Sequence, residues 1–189
     1  QVLDVNGGVN VSSGIVTGSW VVGGCINPGD ATDIMVPVGD LCVDKYEAAV
    51  YGVPTGGAPL TAYPCTANGQ NCAAIATAIY ARSVSGVTPA VNITWFQASV
   101  ACRNAGKHLL TNAEWQDAAV GTVDPGAAGT APNCNVSGAG PTTTGAGTSC
   151  LSSYGVENMI GSVWEWTADW GQYGSDNSVG NGDFSNTAW

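Results

Sequence analysis

The chain is poor in charge, and poorest in positive charge. Only Lys45, Arg82, Arg103 and Lys107 are basic, against 14 Asp and Glu among 189 residues, a formal net charge of −10. A surface of that sign repels phosphate backbones and anionic headgroups, which argues against a nucleic-acid partner. There is one histidine, His108, and one histidine cannot supply a facial triad for iron. No uninterrupted apolar run approaches the ~18 residues that a bilayer-spanning helix needs, so membrane insertion is not expected. No basic-then-apolar leader precedes Gln1, and a leader or upstream segment is expected to be missing. None of the cysteines lies in a CxxC pair, which removes the usual metal and redox motifs.

What is present is cysteine, glycine and tryptophan. Seven cysteines in so uncharged a chain point to an oxidising compartment, outside the cell or at its surface. Cys65 and Cys72 bracket a short polar loop, Cys134 and Cys150 a Gly/Thr-rich one, and Cys25 and Cys42 flank an apolar segment. Those three pairs are the expected bridges, although six cysteines allow 15 pairings and spacing does not choose among them. Cys102 is left unpaired. With 27 glycines and nine prolines, the chain should be rich in turns and modest in helix. Its length suits one domain with a real core, read as residues 33–189, preceded by an extended Val/Gly/Ser-rich arm over 1–32.

Along the domain, Ile34 to Val38 and Leu41 to Glu47 read as two strands joined at Gly39-Asp40. Asp44, Lys45 and Glu47 are expected to form a solvated edge. Thr94 followed by Gln97 is a capping box, the run Trp95 to Asn104 has no helix breaker, and Gly106 ends it. Thr111 followed by Glu114 repeats the device and opens a shorter helix from Asn112 to about Ala119, which makes Glu114 a capping partner rather than a catalytic acid. Residues 121–150 form a long Gly/Pro/Thr/Ala segment without periodicity.

The densest stretch is Tyr154 to Trp170, with three tryptophans, three carboxylates and two glycines in 17 residues. Trp164 and Trp166 stand at period two, so extended chain places both rings on one side and Glu165 on the other. The Asn158 amide oxygen, main-chain carbonyls released by the turn at Gly161, and the Glu165 carboxylate would make the all-oxygen environment that calcium selects. The other reading is a buried aromatic strand whose carboxylate caps a neighbouring loop. Spacing leaves both open.

Three blocks occur in a telling order: Val91-Asn-Ile-Thr-Trp-Phe-Gln-Ala-Ser-Val-Ala-Cys-Arg-Asn-Ala-Gly106, Lys107-His-Leu-Leu-Thr-Asn-Ala-Glu-Trp-Gln-Asp-Ala-Ala119, and Tyr154 to Trp170. Together with Val36-Pro-Val-Gly through Tyr46-Glu47, they resemble the formylglycine-generating-enzyme, or sulfatase-modifying-factor, domain over about residues 33–170. The resemblance implies an α+β, C-type-lectin-like fold with two helices on small antiparallel sheets, loop-rich and stapled by disulfides. Carried over by position, the family's calcium site falls on the Asn158 side chain, the main-chain oxygens of Gly161 and Val163, and the Glu165 carboxylate. A second family site would need an Asp between Asn135 and Cys150, and that stretch has no carboxylate. In that family the helix-one cysteine often pairs with one in a closing strand, and an unpaired Cys102 is what a C-terminally incomplete domain would show.

Activity is a separate matter, because function resides in the site and not in the fold. The oxygen-dependent members use a cysteine pair in a C-terminal segment, and no cysteine follows Cys150. The phrasing Cys-Val-Asp-Lys-Tyr-Glu-Ala and Leu-Leu-Thr-Asn-Ala-Glu-Trp resembles a non-catalytic branch, the retroelement-diversified variable proteins. The leading expectation is therefore a surface-displayed ligand- or receptor-binding module on a calcium-stabilised scaffold, facing a protein or glycan partner from a cell surface or virion, and able to form homo-oligomers. The alternatives are a formylglycine-generating-type oxidase whose catalytic segment is absent here, and a structural subunit of an extracellular filament.

Overall fold

The computed structural model describes residues 25–60, 78–138 and 140–169. The arm before Cys25, the Cys65 and Cys72 pair, and the chain from Trp170 onward lie outside the described residues.

Strand β1 (Met35–Val38) pairs antiparallel with β2 (Leu41–Asp44), Val38 opposite Leu41 across the Gly39-Asp40 turn. Successive side chains alternate between the faces of this hairpin, which sends Val38 and Val43 inward. They meet Ala118, Val156 and Met159 in one buried cluster, flanked by Leu110 and Trp115. A second antiparallel pair joins β3 (Ala49–Tyr51) to β4 (Tyr80–Arg82). Val50, Ile79 and Ala81 pack there on Ala101.

The helices begin where the capping boxes place them. Helix α1 spans Trp95–Asn104, with the Thr94 hydroxyl accepting from the Gln97 N–H and the Gln97 side chain accepting from the Thr94 N–H. Helix α2 spans Asn112–Ala119, with Thr111 and Glu114 in the same reciprocal pairing. Each box satisfies N–H groups that a helix start otherwise leaves orphaned. Each helix then buries one small residue, Ala101 or Ala118, against a different strand pair, and small residues allow that close approach.

The α+β, C-type-lectin-like architecture with two helices, small antiparallel sheets and disulfide staples is the one expected. Cys25–Cys42 and Cys134–Cys150 are bridged, with Cα atoms 5.4 and 4.7 Å apart, and Cys102 is a free thiol. The second bridge closes the aperiodic 121–150 segment, which otherwise holds one short 3-10 turn at Gly126–Ala128. Among the described residues no helix is long and apolar enough to cross a membrane.

The expected solvated edge after β2 is corrected. Lys107 Nζ donates to Asp33 Oδ1 at 2.7 Å and to Asp44 Oδ1 at 2.6 Å, and both Lys107 and Asp33 are buried. Glu47 is only 8% exposed. The cause is tertiary: the Lys45 N–H donates to Ile34 O and the Lys45 carbonyl accepts from the Glu157 N–H, so the chain after β2 is enclosed between β1 and the tryptophan-rich stretch. A second buried cation, Arg82, pairs with Asp30, donates to Thr32 Oγ1 at 2.9 Å, and stacks 4.0 Å from the Tyr51 ring centroid. These contacts fasten residues 30–32 to β3 and β4.

Candidate functional site

The site is assembled around the turn that ends the loop 154–163. Upstream, Glu157 is buried with Oε1 accepting from the Gly145 and Gly147 N–H groups at 2.8 and 3.0 Å, and the Asn158 N–H donates to Cys150 O. Asn158 is buried with φ 60°, a left-handed conformation that its short amide side chain tolerates. Its Nδ2 donates to Glu157 Oε1 at 3.5 Å, while Oδ1 is buried without a hydrogen-bond partner. An orphaned buried oxygen costs about 1–3 kcal/mol, so such an atom calls for an explanation. Gly147 is part of the cradle: a Cβ there would lie 2.3 Å from Asn158 Oδ1.

Gly161 at φ 82° and Ser162 at φ 59° then make two consecutive left-handed residues. At Gly161 any side chain is excluded, since a Cβ would sit 2.6 Å from Asn135 O. Two walls hold the turn. On one side the Ser162 N–H donates to Asn135 O at 2.8 Å. On the other Glu47 accepts from the Ser162 hydroxyl at 3.1 Å and from the Val163 N–H at 3.3 Å.

Beyond the turn the chain has no strand partner among the described residues. The expected alternation holds: Trp164 and Trp166 are exposed, and the Glu165 carboxylate turns inward to accept from Trp115 Nε1. Trp166 Nε1 donates to Ile93 O at 2.9 Å, Trp95 Nε1 to Thr167 O at 2.7 Å, and the Ala168 N–H to Leu110 O at 2.8 Å. The stretch is thereby pinned to the starts of both helices.

Two carboxylates thus face one another with Asn158 beside them. Burial pushes Glu47 up to about 8, the neighbouring Glu165 adds to the rise, and bonds from Ser162, the Val163 N–H and Asn158 offset only part of it. Burial also pushes Glu165 up to about 7, against the bond from Trp115. Among the described residues neither carboxylate has a cationic partner, because the ion pairs formed by Arg82, Lys107 and His108 lie elsewhere. A cleft of about 460 Å³ lined by Trp115, Asn135, Gly161, Ser162 and Glu165 opens at the turn, and a cavity of about 150 Å³ is lined by Glu47, Cys102, Lys107 and Glu165.

Of the four residues singled out by sequence, Asn158 and Val163 both contact Glu47, Glu165 raises its pKa, and Gly161 forms the turn between them. Among the described residues no three His, Cys, Asp or Glu converge as metal ligands, so any cation here would rely on amide and main-chain oxygens. Such an all-oxygen set, with an orphaned amide oxygen and two carboxylates that burial disfavours as anions, has the chemistry of a hard-cation site. Sequence reasoning missed Glu47 and Trp115 here, and considered Asn135 only for a second site. Glu47 carries no local signal, since Ser162 lies 115 residues further on.

Residues 46–184 match the sulfatase-modifying factor enzyme 1-like domain, and the chain belongs to that family. Among curated proteins it is similar to the hercynine oxygenase of Mycolicibacterium smegmatis, 31% identical over 100 residues that cover 46% of this chain and 23% of that one. It is also similar to the formylglycine-generating enzymes of Thermomonospora curvata, 37% identical over 101 residues, and Streptomyces coelicolor, 33% over 101. Those alignments cover 43% of this chain and 33% and 32% of the two enzymes. No solved structure matches. The chain thus spans about a quarter to a third of the length of these relatives.

These matches overturn the leading functional expectation. The relatives are enzymes, and nothing among them is a surface-displayed, non-catalytic binding module. Sequence phrasing misled because the blocks that carry the resemblance build the scaffold, and a scaffold is shared by branches with different chemistry.

Proposed function

We propose that this chain is a calcium-stabilised scaffold of an oxidase related to formylglycine-generating enzymes, with its redox centre furnished by residues other than the described ones. The observation that carries the reading is the 31–37% identity to enzymes of that family over about 100 residues. The described residues do not fit a copper or iron centre of their own. His108 pairs with Glu114 at 3.4 Å, and burial, with the Asp44 charge beside it, pushes the Cys102 thiol up to about 12, which disfavours the thiolate that a soft metal requires.

Asn158, the main-chain oxygens of Gly161 and Val163, and Glu165 would hold the calcium. When bound, the ion supplies a fixed divalent charge against which the two buried carboxylates can ionise. Asn158 Oδ1, buried and otherwise unbonded, supports this assignment. An oxidising compartment belongs to the same reading, supported by the two bridged cysteine pairs.

Two measurements test it. Chelator is expected to lower the melting temperature of the wild-type chain and to leave Glu165→Ala unaffected, and an unchanged wild-type melt refutes the calcium assignment. Expressed from its full reading frame, the protein is expected to consume oxygen while forming an aldehyde on a cysteine-containing peptide, followed by mass spectrometry. Intact peptide with either copper or iron supplied refutes the oxidase reading.

A further inference from the structure

Glu47 lies outside the four ligand positions, yet it touches the turn that carries two of them. We propose that Glu47 is a positioning residue for the cation site: it clamps the Gly161 to Val163 turn, so that the turn's main-chain oxygens are in place before the ion arrives. The inference rests on the calcium reading above and adds to it a residue that binds no ion itself.

The argument is geometric. Ser162 is not glycine, and at φ 59° it occupies a conformation that costs an L-residue about 1–2 kcal/mol. Strain of this kind persists only where the surroundings over-determine it. The Asn135 carbonyl fixes the Ser162 N–H, and Glu47 supplies the opposing restraint by accepting from both the Ser162 hydroxyl and the Val163 N–H. Thr142 adds a weaker bond, its N–H donating to Ser162 Oγ at 3.3 Å. With Glu47 removed, the Ser162–Val163 peptide between the two ligand carbonyls loses the acceptor that orients it, and the turn is free to relax toward ordinary backbone angles. Residues that orient metal-binding groups without touching the ion commonly change affinity by about 10–100-fold when lost.

The test is a titration with terbium, whose emission nearby tryptophans such as Trp115 can sensitise, followed by displacement with calcium. It uses the wild type, Glu47→Ala, Glu47→Gln and Ser162→Ala at a temperature where all are folded. Glutamine keeps an acceptor for the Val163 N–H and a polar contact with Ser162, so Glu47→Gln should retain calcium affinity to within about threefold, while Glu47→Ala should lose about 10–100-fold. Ser162→Ala removes one of the two contacts, leaves the carboxylate, and should lose about two- to tenfold, which keeps the test decisive if Glu47→Ala fails to fold. A purely structural role would lower the melting temperature in chelator without moving these affinities, and that result overturns the proposal. So does a Glu47→Gln affinity as poor as that of Glu47→Ala, which would mean that the Glu47 charge acts on the ion directly. If the wild type shows no calcium-displaceable emission, the calcium reading itself fails; if the wild type binds and Glu47→Ala binds equally well, only the positioning role fails.

Discussion

Replacing Lys107 with methionine keeps the length of the side chain and deletes its charge. Lys107 is 7% exposed, and its ammonium bonds both Asp33, which is 3% exposed, and Asp44. Burial works against the ammonium, but the two carboxylates more than offset this and raise its pKa, so it stays charged. Without it two enclosed carboxylates have no counter-ion, and removing one partner of a buried ionic cluster costs about 3–5 kcal/mol. For a domain of this size each kcal/mol moves the melting temperature by about 2–4 °C, so the variant should melt roughly 6–20 °C below wild type.

The loss should also depend on pH. Burial raises Asp44 to about 6, against the pull of Lys107 and with help from Asp33, whereas its ordinary value is 3.8. An acid whose folded pKa is raised favours folding most when protonated. Its contribution is full below about 4 and falls away as pH rises through 6. Deleting Lys107 pushes Asp44 higher still and extends that fall to higher pH, so the deficit should be smallest near pH 4 and largest near pH 8. Thermal circular dichroism at both pH values measures it, and Lys107→Met/Asp44→Asn should recover part of the loss. A variant melting within about 2 °C of wild type at pH 8, or a deficit equal at both pH values, refutes the reasoning.

Replacing Cys134 and Cys150 by alanine opens a bridge with a sequence separation of 16, and should cost about 3 kcal/mol through freedom regained by the unfolded chain, read as a lower urea midpoint. Thr111→Ala should remove about 1 kcal/mol by uncapping α2. Burial alone would raise Glu114, but the Thr111 N–H and hydroxyl and His108 outweigh it and hold the acid below 4.5. A depressed acid stabilises the fold above its unfolded pKa, so that part of the cap should fade as pH falls below about 4.5, and urea melts at pH 3 and 7 compare the two states.

The sequence alone determined what neighbours in the chain can decide. A capping box needs only residues three apart, so both helices begin at Trp95 and Asn112 as read. A two-residue turn placed Val38 opposite Leu41, and period-two alternation placed Trp164 and Trp166 on one side with Glu165 on the other, while only the packed chain decided that the rings face out and the carboxylate in. Tertiary structure decided everything that depends on distant partners. Glu47 looked like solvated edge and is instead buried against Ser162, while Asp44 is sealed by a lysine 63 positions on and Trp115 reaches Glu165 across 50. A carboxylate's local sequence is the same whether water or protein surrounds it. Its charge, its pKa and its use follow from desolvation and from whichever dipoles the fold brings to it, and those are properties of the packed chain alone.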